Sequence, residues 1–545
     1  MGGIAFVNNG GKLNAGAGGS IVYAGNNTTF NAGTRFTGAG SNVVTSNAAF
    51  NGQFDATNLT LQSGTFQSNG AVVNGNALFT GGDISGGWEV ANGHTLSGRD
   101  GGNKFLSGDT TVLTNKGTID WSSGNALYLQ SGATLLNQAL FLASESSTLV
   151  YNGGATTTFD NQANGTVRAA AGKTLTVGGI AFTNNGGRLD AELGGSIVYA
   201  GNAAQFNDGT RFTGAGANLA TANARFVDGF SSENLRLQSG SFTGGDGVTP
   251  GSKAALTPGT VVFTGGTLTG AWQVDAGATL EGAGGGNKFI SGGTLTNLGT
   301  LAWKTTDALY LQSAGNIANQ GTIALQADSA VFYNGGVGGS FVNTGLIAKT
   351  GGSGTSTIGN GLGFDNQGVV DVATGTIRLP DNFTNNGTLK GSGAFATNVL
   401  TNAGHVAPGS SPGTLTLNGN YVQTAAGFLD TELASSTLFD TFLVNGTAAL
   451  GGTLALSCVQ TCAVQDGDVF TILDATGELT GTFATTTGLN FGKGFEYSVI
   501  YDYNTADLVK LQVIHAGVVP EPGTWALLLA GLAGVAAVAR RRTPA

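Results

Sequence analysis

At 545 residues the chain is too long for one compact core, so several domains or one extended array of repeats are required. Charged residues make up 10% against about 25% in ordinary globular domains, yet 40% are hydrophobic and 30 are Phe, which excludes a disordered chain. The net charge of -10 and the lack of a basic stripe exclude nucleic acid as a partner.

The first residues have neither a basic segment nor an apolar one, so no secretory leader is visible. Residues 2–11 instead match residues 178–187 almost letter for letter, so the chain starts in mid-repeat. A leader and further coils are expected upstream.

Much of the first 360 residues is duplicated. Ser20–Gly25 returns as Ser196–Gly201, Gly33–Gly38 as Gly209–Gly214 and Leu59–Gly64 as Leu235–Gly240, each 176 residues later. Past an insertion around 248–258 the offset is 184, pairing Trp88 with Trp272, and then 182, pairing Trp121 with Trp303.

Inside this duplication runs a shorter phrase: an apolar residue, any residue, Asn, any residue and usually Gly. It places Asn115, Asn137, Asn161 and Asn184 at steps of 22, 24 and 23 residues, and Asn297, Asn319, Asn343 and Asn366 at the same steps. Asn385 and Asn402 continue it. A recurrence every twenty-odd residues is the mark of a solenoid. Stretches such as 174–177, 259–263, 376–379 and 414–417 alternate apolar with polar residues between Gly and Asn, as short strands do. Strands so short bury an apolar face only by stacking coil on coil. The equivalent asparagines are expected to bond to their own turn and to each other, forming a ladder, with the apolar residue two positions earlier pointing inward.

The expected fold is therefore all-β: a right-handed parallel β-helix solenoid with a C-terminal β-rich cap and one C-terminal transmembrane helix. Its parts are repeat unit 1 over 1–177, repeat unit 2 over 178–360, final coils over 361–404, the cap over 405–515 and a tail over 516–545. The cap, with 406–421, 440–456, 466–473 and Gly481-Thr482-Phe483, resembles the segment that closes autotransporter-like and haemagglutinin-like β-helical passengers. That resemblance implies wider coils or a small sandwich over the open end of the stack. The cap holds the only two cysteines, Cys458 and Cys462. In an exported chain this pair is expected to form a small disulfide loop.

The tail reads Val519, Pro520, Glu521, Pro522, Gly523, Thr524, Trp525, then an apolar run of 15 residues from Trp525 to Ala539, then Arg540, Arg541 and Arg542. This resembles a PEP-CTERM sorting signal. The resemblance implies export across the inner membrane of a Gram-negative bacterium and recognition of Pro520-Glu521-Pro522 by an exosortase. It further implies a membrane-anchored precursor and a mature form at the surface or outside the cell. The arginines are expected to stay cytoplasmic. The run is shorter than the ~20 residues a typical span needs.

β-Helices also carry polysaccharide lyases and glycoside hydrolases, which need juxtaposed carboxylates. The duplication gives an internal test. None of the acids Asp55, Asp83, Glu89, Asp100, Asp109, Asp120, Glu145 and Asp160 is acidic at its counterpart, whereas Arg35/Arg211, Lys104/Lys288 and Lys12/Arg188 stay basic. No catalytic residue, metal site or cofactor is expected. His94, His405 and His515 are scattered, and Asp466-Gly467-Asp468 reads as a tight turn. Trp88, Trp121, Trp272 and Trp303 read as core residues that would stack on sugars only if exposed. The expectation is a non-enzymatic, adhesin-like or matrix component whose partners are an exosortase, exopolysaccharide or surface glycans, and the membrane before processing. The alternative is a β-helical enzyme acting on exopolysaccharide.

Overall fold

The computed structural model describes residues 4–410, 412–490, 495–503, 505–515 and 522–540. They form a nearly all-β parallel solenoid of about 21 turns with one short C-terminal helix. Two compact units divide it, Met1–Asn398 and Val399–Ala545.

In the first unit a typical coil has three strands of about four residues, each paired in parallel with its equivalent one coil on. Leu113 lies over Leu135, Leu135 over Phe159 and Phe159 over Phe182, in one unbroken register. Alternation within each strand sends every second side chain inward, so these four residues are buried, and their neighbours face out. Both copies of the duplication fill the interior with the same aromatic chain: Phe30, Phe50 and Trp88 at ring-centroid distances of 5.0 and 5.1 Å, and Phe206, Phe226 and Trp272 at 4.9 and 5.1 Å. All four repeated tryptophans are buried. A small apolar cavity of about 30 Å³, lined by Trp303, Ile323 and Phe341 among others, leaves room for about one water molecule.

The glycine of the Asn-x-Gly corner is held to its identity by close approach. A Cβ on Gly321 would lie 2.3 Å from the Gly299 carbonyl oxygen, and one on Gly345 would lie 2.2 Å from that of Gly321. Glycine commonly serves turns through its freedom at positive φ. At this corner the reason is the carbonyl of the coil before.

In the second unit the coils are longer. Thr414–Gln423 pairs in parallel with Thr441–Asn445 and Ala448–Leu450, and Phe428–Ser435 pairs with Thr453–Ala463. Val469–Ala475 then pairs with Leu508–His515 in antiparallel fashion, and Leu508–His515 forms a second antiparallel pair with Phe495–Asp502. Of the two cap forms implied by resemblance, the structure has wider coils, finished by an antiparallel pair that covers the edge of Val469–Ala475.

The apolar tail is a helix, Pro522–Arg540, of 19 residues. Its described side chains, including Leu527, Leu529, Leu532 and Val535, are all exposed. Among the described residues no helix is long and apolar enough to cross a membrane. The expected helix is present, and its described apolar length is less than the ~20 residues a typical span needs.

Candidate functional site: polar columns and the sorting segment

Asn and the apolar residue two positions earlier share one face of a strand, so both point inward. The corner closes over the carboxamide, leaving Asn115, Asn137, Asn161, Asn184, Asn297, Asn319, Asn343, Asn366, Asn385 and Asn402 buried. Within each of two runs every Nδ2 but the last donates to the Oδ1 of the next asparagine. In the first run the distances are 2.7 Å from Asn115 to Asn137, 2.7 Å from Asn137 to Asn161 and 2.5 Å from Asn161 to Asn184. In the second run, from Asn297 through Asn319, Asn343 and Asn366 to Asn385, they are 2.7, 2.7, 2.8 and 2.9 Å. The second amide hydrogen goes to a backbone carbonyl, as from Asn297 to Thr322 at 3.0 Å and from Asn319 to Leu346 at 3.1 Å. Both donors of the carboxamide are thus used.

The runs end in defined ways. Asn184 donates to Thr210 Oγ1 at 2.8 Å, closing the first run. Asn402, in the second unit, donates to Tyr421 Oη at 3.3 Å and to the Phe428 carbonyl at 3.0 Å. At the other end, Asn115 Oδ1 and Asn297 Oδ1 are buried with no donor among the described residues. The residues over them in register are Val90 and Val274, which have nothing to donate.

Two buried amides, Asn42 and Asn218, lie outside the Asn-x-Gly phrase, each bonded to a half-buried one. Tyr23 donates to Asn42 at 2.8 Å and Asn42 to Asn58 at 2.7 Å; in the other copy Tyr199 donates to Asn218 at 3.0 Å and Asn218 to Asn234 at 2.8 Å. The 176-residue duplication of Tyr and both Asn was the signal that could have found them.

Among the described residues three lysines are wholly buried, Lys104, Lys288 and Lys349. Lys288 Nζ contacts the Gly286 carbonyl at 3.1 Å and Asp307 at 3.0 Å. Lys349 contacts Asp328 at 2.6 Å, the Gly351 carbonyl at 3.0 Å and Ser356 at 3.1 Å. Their ammonium groups hold Asp307 and Asp328 below the usual carboxylate range. Lys104 contacts the Gly102 carbonyl at 3.2 Å and Ser123 at 3.4 Å, and Ser123 in turn contacts Asp100 at 3.0 Å. Burial pushes the Lys104 pKa down, and the Asp100 charge opposes that shift. The lysine therefore survives duplication while its carboxylate moves: Asp100 and Asn125 in copy one correspond to Gly284 and Asp307 in copy two.

A disulfide joins Cys458 and Cys462. Asp468 accepts from the Gln465 N–H at 2.8 Å and Asp466 from the His515 N–H at 2.9 Å, so both carboxylates serve the backbone of the turn and its neighbour. His405 meets Asp430 at 2.8 Å and stacks on Phe428. Among the described residues no group of three His, Cys, Asp or Glu could hold a metal ion. The densest charge cluster on the first unit has Arg168 2.7 Å from Asp190 and 3.6 Å from Glu192, with Arg188 3.0 Å from Asp190. Burial raises the Asp190 pKa, but hydrogen bonds from Thr213 and Arg168 and the two guanidinium charges outweigh it and leave the group below its ordinary value.

Of the tail residues, Val519, Pro520, Glu521, Arg541 and Arg542 lie outside the described residues, as do the side chains of Pro522, Thr524, Trp525 and Arg540. The helix that follows the proline pair is in place. Residues 518–542 match the PEP-CTERM protein-sorting motif. The chain carries a PEP-CTERM sorting signal. Such a signal marks an exported protein sorted by an exosortase to the cell surface. The PEP-CTERM match covers the tail alone, and the solenoid before it is read from its own geometry. No curated protein matches the chain.

Proposed function

We propose that this PEP-CTERM protein is a structural, adhesin-like component of the cell surface or extracellular matrix, with exopolysaccharide or surface glycans as its partners. One observation carries the reading: a sorting tail follows a solenoid packed with side chains, whose outer faces are ladders of neutral polar groups. Asn31 donates to Asn9 at 2.6 Å and its counterpart Asn207 to Asn185 at 2.6 Å; Asn152 donates to Gln130 at 2.6 Å and Asn334 to Gln312 at 2.7 Å. Such faces suit many weak, repeated contacts with a hydroxyl-rich polymer. The apolar tail helix would hold the precursor in the inner membrane until the exosortase removes it.

The alternative is a β-helical lyase or glycoside hydrolase, for which the Arg168, Asp190 and Glu192 cluster is the place to look. That chemistry pairs an ionised carboxylate with one kept protonated. Asp190, already tied to two guanidinium groups, suits a structural ion pair better.

The test is expression in a host with a matching exosortase. The unchanged chain is expected as a shortened form at the surface or in the medium that retains matrix polysaccharide. Pro520→Ala with Glu521→Ala is expected to accumulate at full length in the inner membrane. Processing of that variant like the parent would sink the sorting role of these residues. Polysaccharide depolymerisation that disappears in Asp190→Asn would replace the scaffold reading with the enzyme one.

A further inference from the structure

The duplication repeats a surface groove as well as the core. In the first copy a shallow polar groove of about 470 Å³ is lined by Asn26, Asn27, Thr29, Asn47, Thr65 and Gln67 among others. In the second, a groove of about 390 Å³ is lined by Asn202, Ala203, Gln205, Asn223, Ser241 and Thr243 among others, each 176 residues after its counterpart. The floors are built alike. Asn47 Oδ1 accepts the Thr65 N–H at 2.8 Å, and Asn223 Oδ1 accepts the Ser241 N–H at 2.8 Å. Each exposed amide therefore keeps its Nδ2 donor free of any partner among the described residues. The coil is drawn in here by a glycine at positive φ: a Cβ on Gly64 would lie 2.4 Å from the Ser46 carbonyl carbon, and one on Gly240 would lie 2.5 Å from that of Ala222.

The columns that line the two grooves differ at each position, and the second alone carries a charge. In the first copy Thr29, Ala49 and Gln67 stand in register on successive coils. In the second copy the same column is Gln205, Arg225 and Thr243. Arg225 is half-buried and spends one N–H on the Gly245 carbonyl at 3.0 Å. A guanidinium has five such donors. A further outward column runs from Thr65 through Asp83 to a stacked Phe105 and Tyr128, repeated as Ser241, Thr267, Phe289 and Tyr310.

We propose that the two grooves are equivalent polysaccharide-binding sites, the first for neutral sugars and the second for a sugar acid whose carboxylate pairs with Arg225. Amides and hydroxyls that both donate and accept suit sugar hydroxyls. The backbone groups of the three coils are already paired with each other, so a peptide cannot join as an added strand. This rests on the surface-glycan reading above and names where that binding occurs.

The experiment titrates the full chain with a neutral β-glucan hexasaccharide and a polyuronate hexasaccharide, with circular dichroism as the folding control. Arg225→Ala is expected to lower polyuronate affinity about tenfold and leave the neutral sugar unchanged. Ala49→Arg, which gives the first groove the residue of the second, is expected to add a second polyuronate site. Wild-type affinity and stoichiometry in both variants, with sugars still bound, overturns the grooves and leaves the surface reading standing. A parent chain that binds neither oligosaccharide nor matrix polysaccharide overturns both.

Discussion

Val274 lies directly over Asn297 in the adjacent coil and leaves the Asn297 carboxamide oxygen buried without a donor. The other copy repeats the fault with Val90 over Asn115. Thr has the shape of Val with a hydroxyl in place of one methyl. Val274→Thr is therefore expected to be neutral or stabilising by up to about 1 kcal/mol, since the hydroxyl satisfies the orphan oxygen. Val261→Thr, at a buried strand position without such an oxygen, is expected to cost about 1–3 kcal/mol. Urea unfolding of the two variants checks the contrast; equal losses would show that the orphan oxygen has no energetic weight.

Asn319 sits within the second run and is bonded on both sides. Asn319→Ala orphans the Asn297 donor and the Asn343 acceptor together, at about 1–3 kcal/mol for each buried group. The loss is expected to appear in amide hydrogen exchange as faster opening of the coils from Leu295 to Asn366, with distant coils unchanged.

The migrating carboxylate invites a rescue. Asp307→Asn leaves the Lys288 ammonium buried with the Gly286 carbonyl and no anion, and breaking a buried pair costs about 3–5 kcal/mol. Asp307 is itself about one-third exposed (34%), so the lower part of that range is expected. Gly284→Asp, placing the acid where copy one has Asp100, is expected to recover more than half of the loss. Its added Cβ meets only Thr305 Oγ1, at 3.9 Å. An additive double variant would show that the two carboxylates are not alternatives.

Asp440 in the second unit is buried, and burial pushes its pKa up to about 7, although the Glu432 and Gly413 N–H groups hydrogen-bond to it and pull the other way; the Glu432 charge adds to the rise. Between its ordinary value near 3.8 and about 7 the folded chain holds a proton that the unfolded chain has released. Stability of this unit is therefore expected to fall as pH rises through that window and to level off above it. Asp440→Asn, which cannot accept both N–H groups, is expected to be less stable at every pH but to lose the slope. Thermal melts from pH 4 to pH 8 decide; a parallel slope in the variant would exclude Asp440 as its source.

The coil period was legible because the Asn-x-Gly corner meets two demands at once, an inward amide that must find partners and a glycine pressed against a carbonyl. Few residue pairs satisfy both, so the letters repeat. Asn42 with Asn58 and Asn218 with Asn234 escaped notice, because each forms a single link per copy and sets up no local rhythm. Two of the buried lysines were visible only as the basic Lys104/Lys288 match, and Lys349 not at all; their depth was hidden, since a charge with its carboxylate on another coil looks like a surface pair. The grooves are the least legible feature. Outward residues carry little packing constraint, and Ala49 answers to Arg225 with nothing in the pattern to mark it. The antiparallel pair Phe495–Asp502 and Leu508–His515 breaks the coil rule, so a reading built on period could place a cap there but not draw it.

All seven links within the two buried asparagine runs point the same way, each donating toward the C-terminal side. The amide dipoles of a run therefore add head to tail, and each bond polarises the next. No single member can flip its amide without opposing both neighbours, so direction is a collective property of the run. The interior members are gripped harder than the ends, and loosening by heat or denaturant should start at Asn297 before it reaches Asn343.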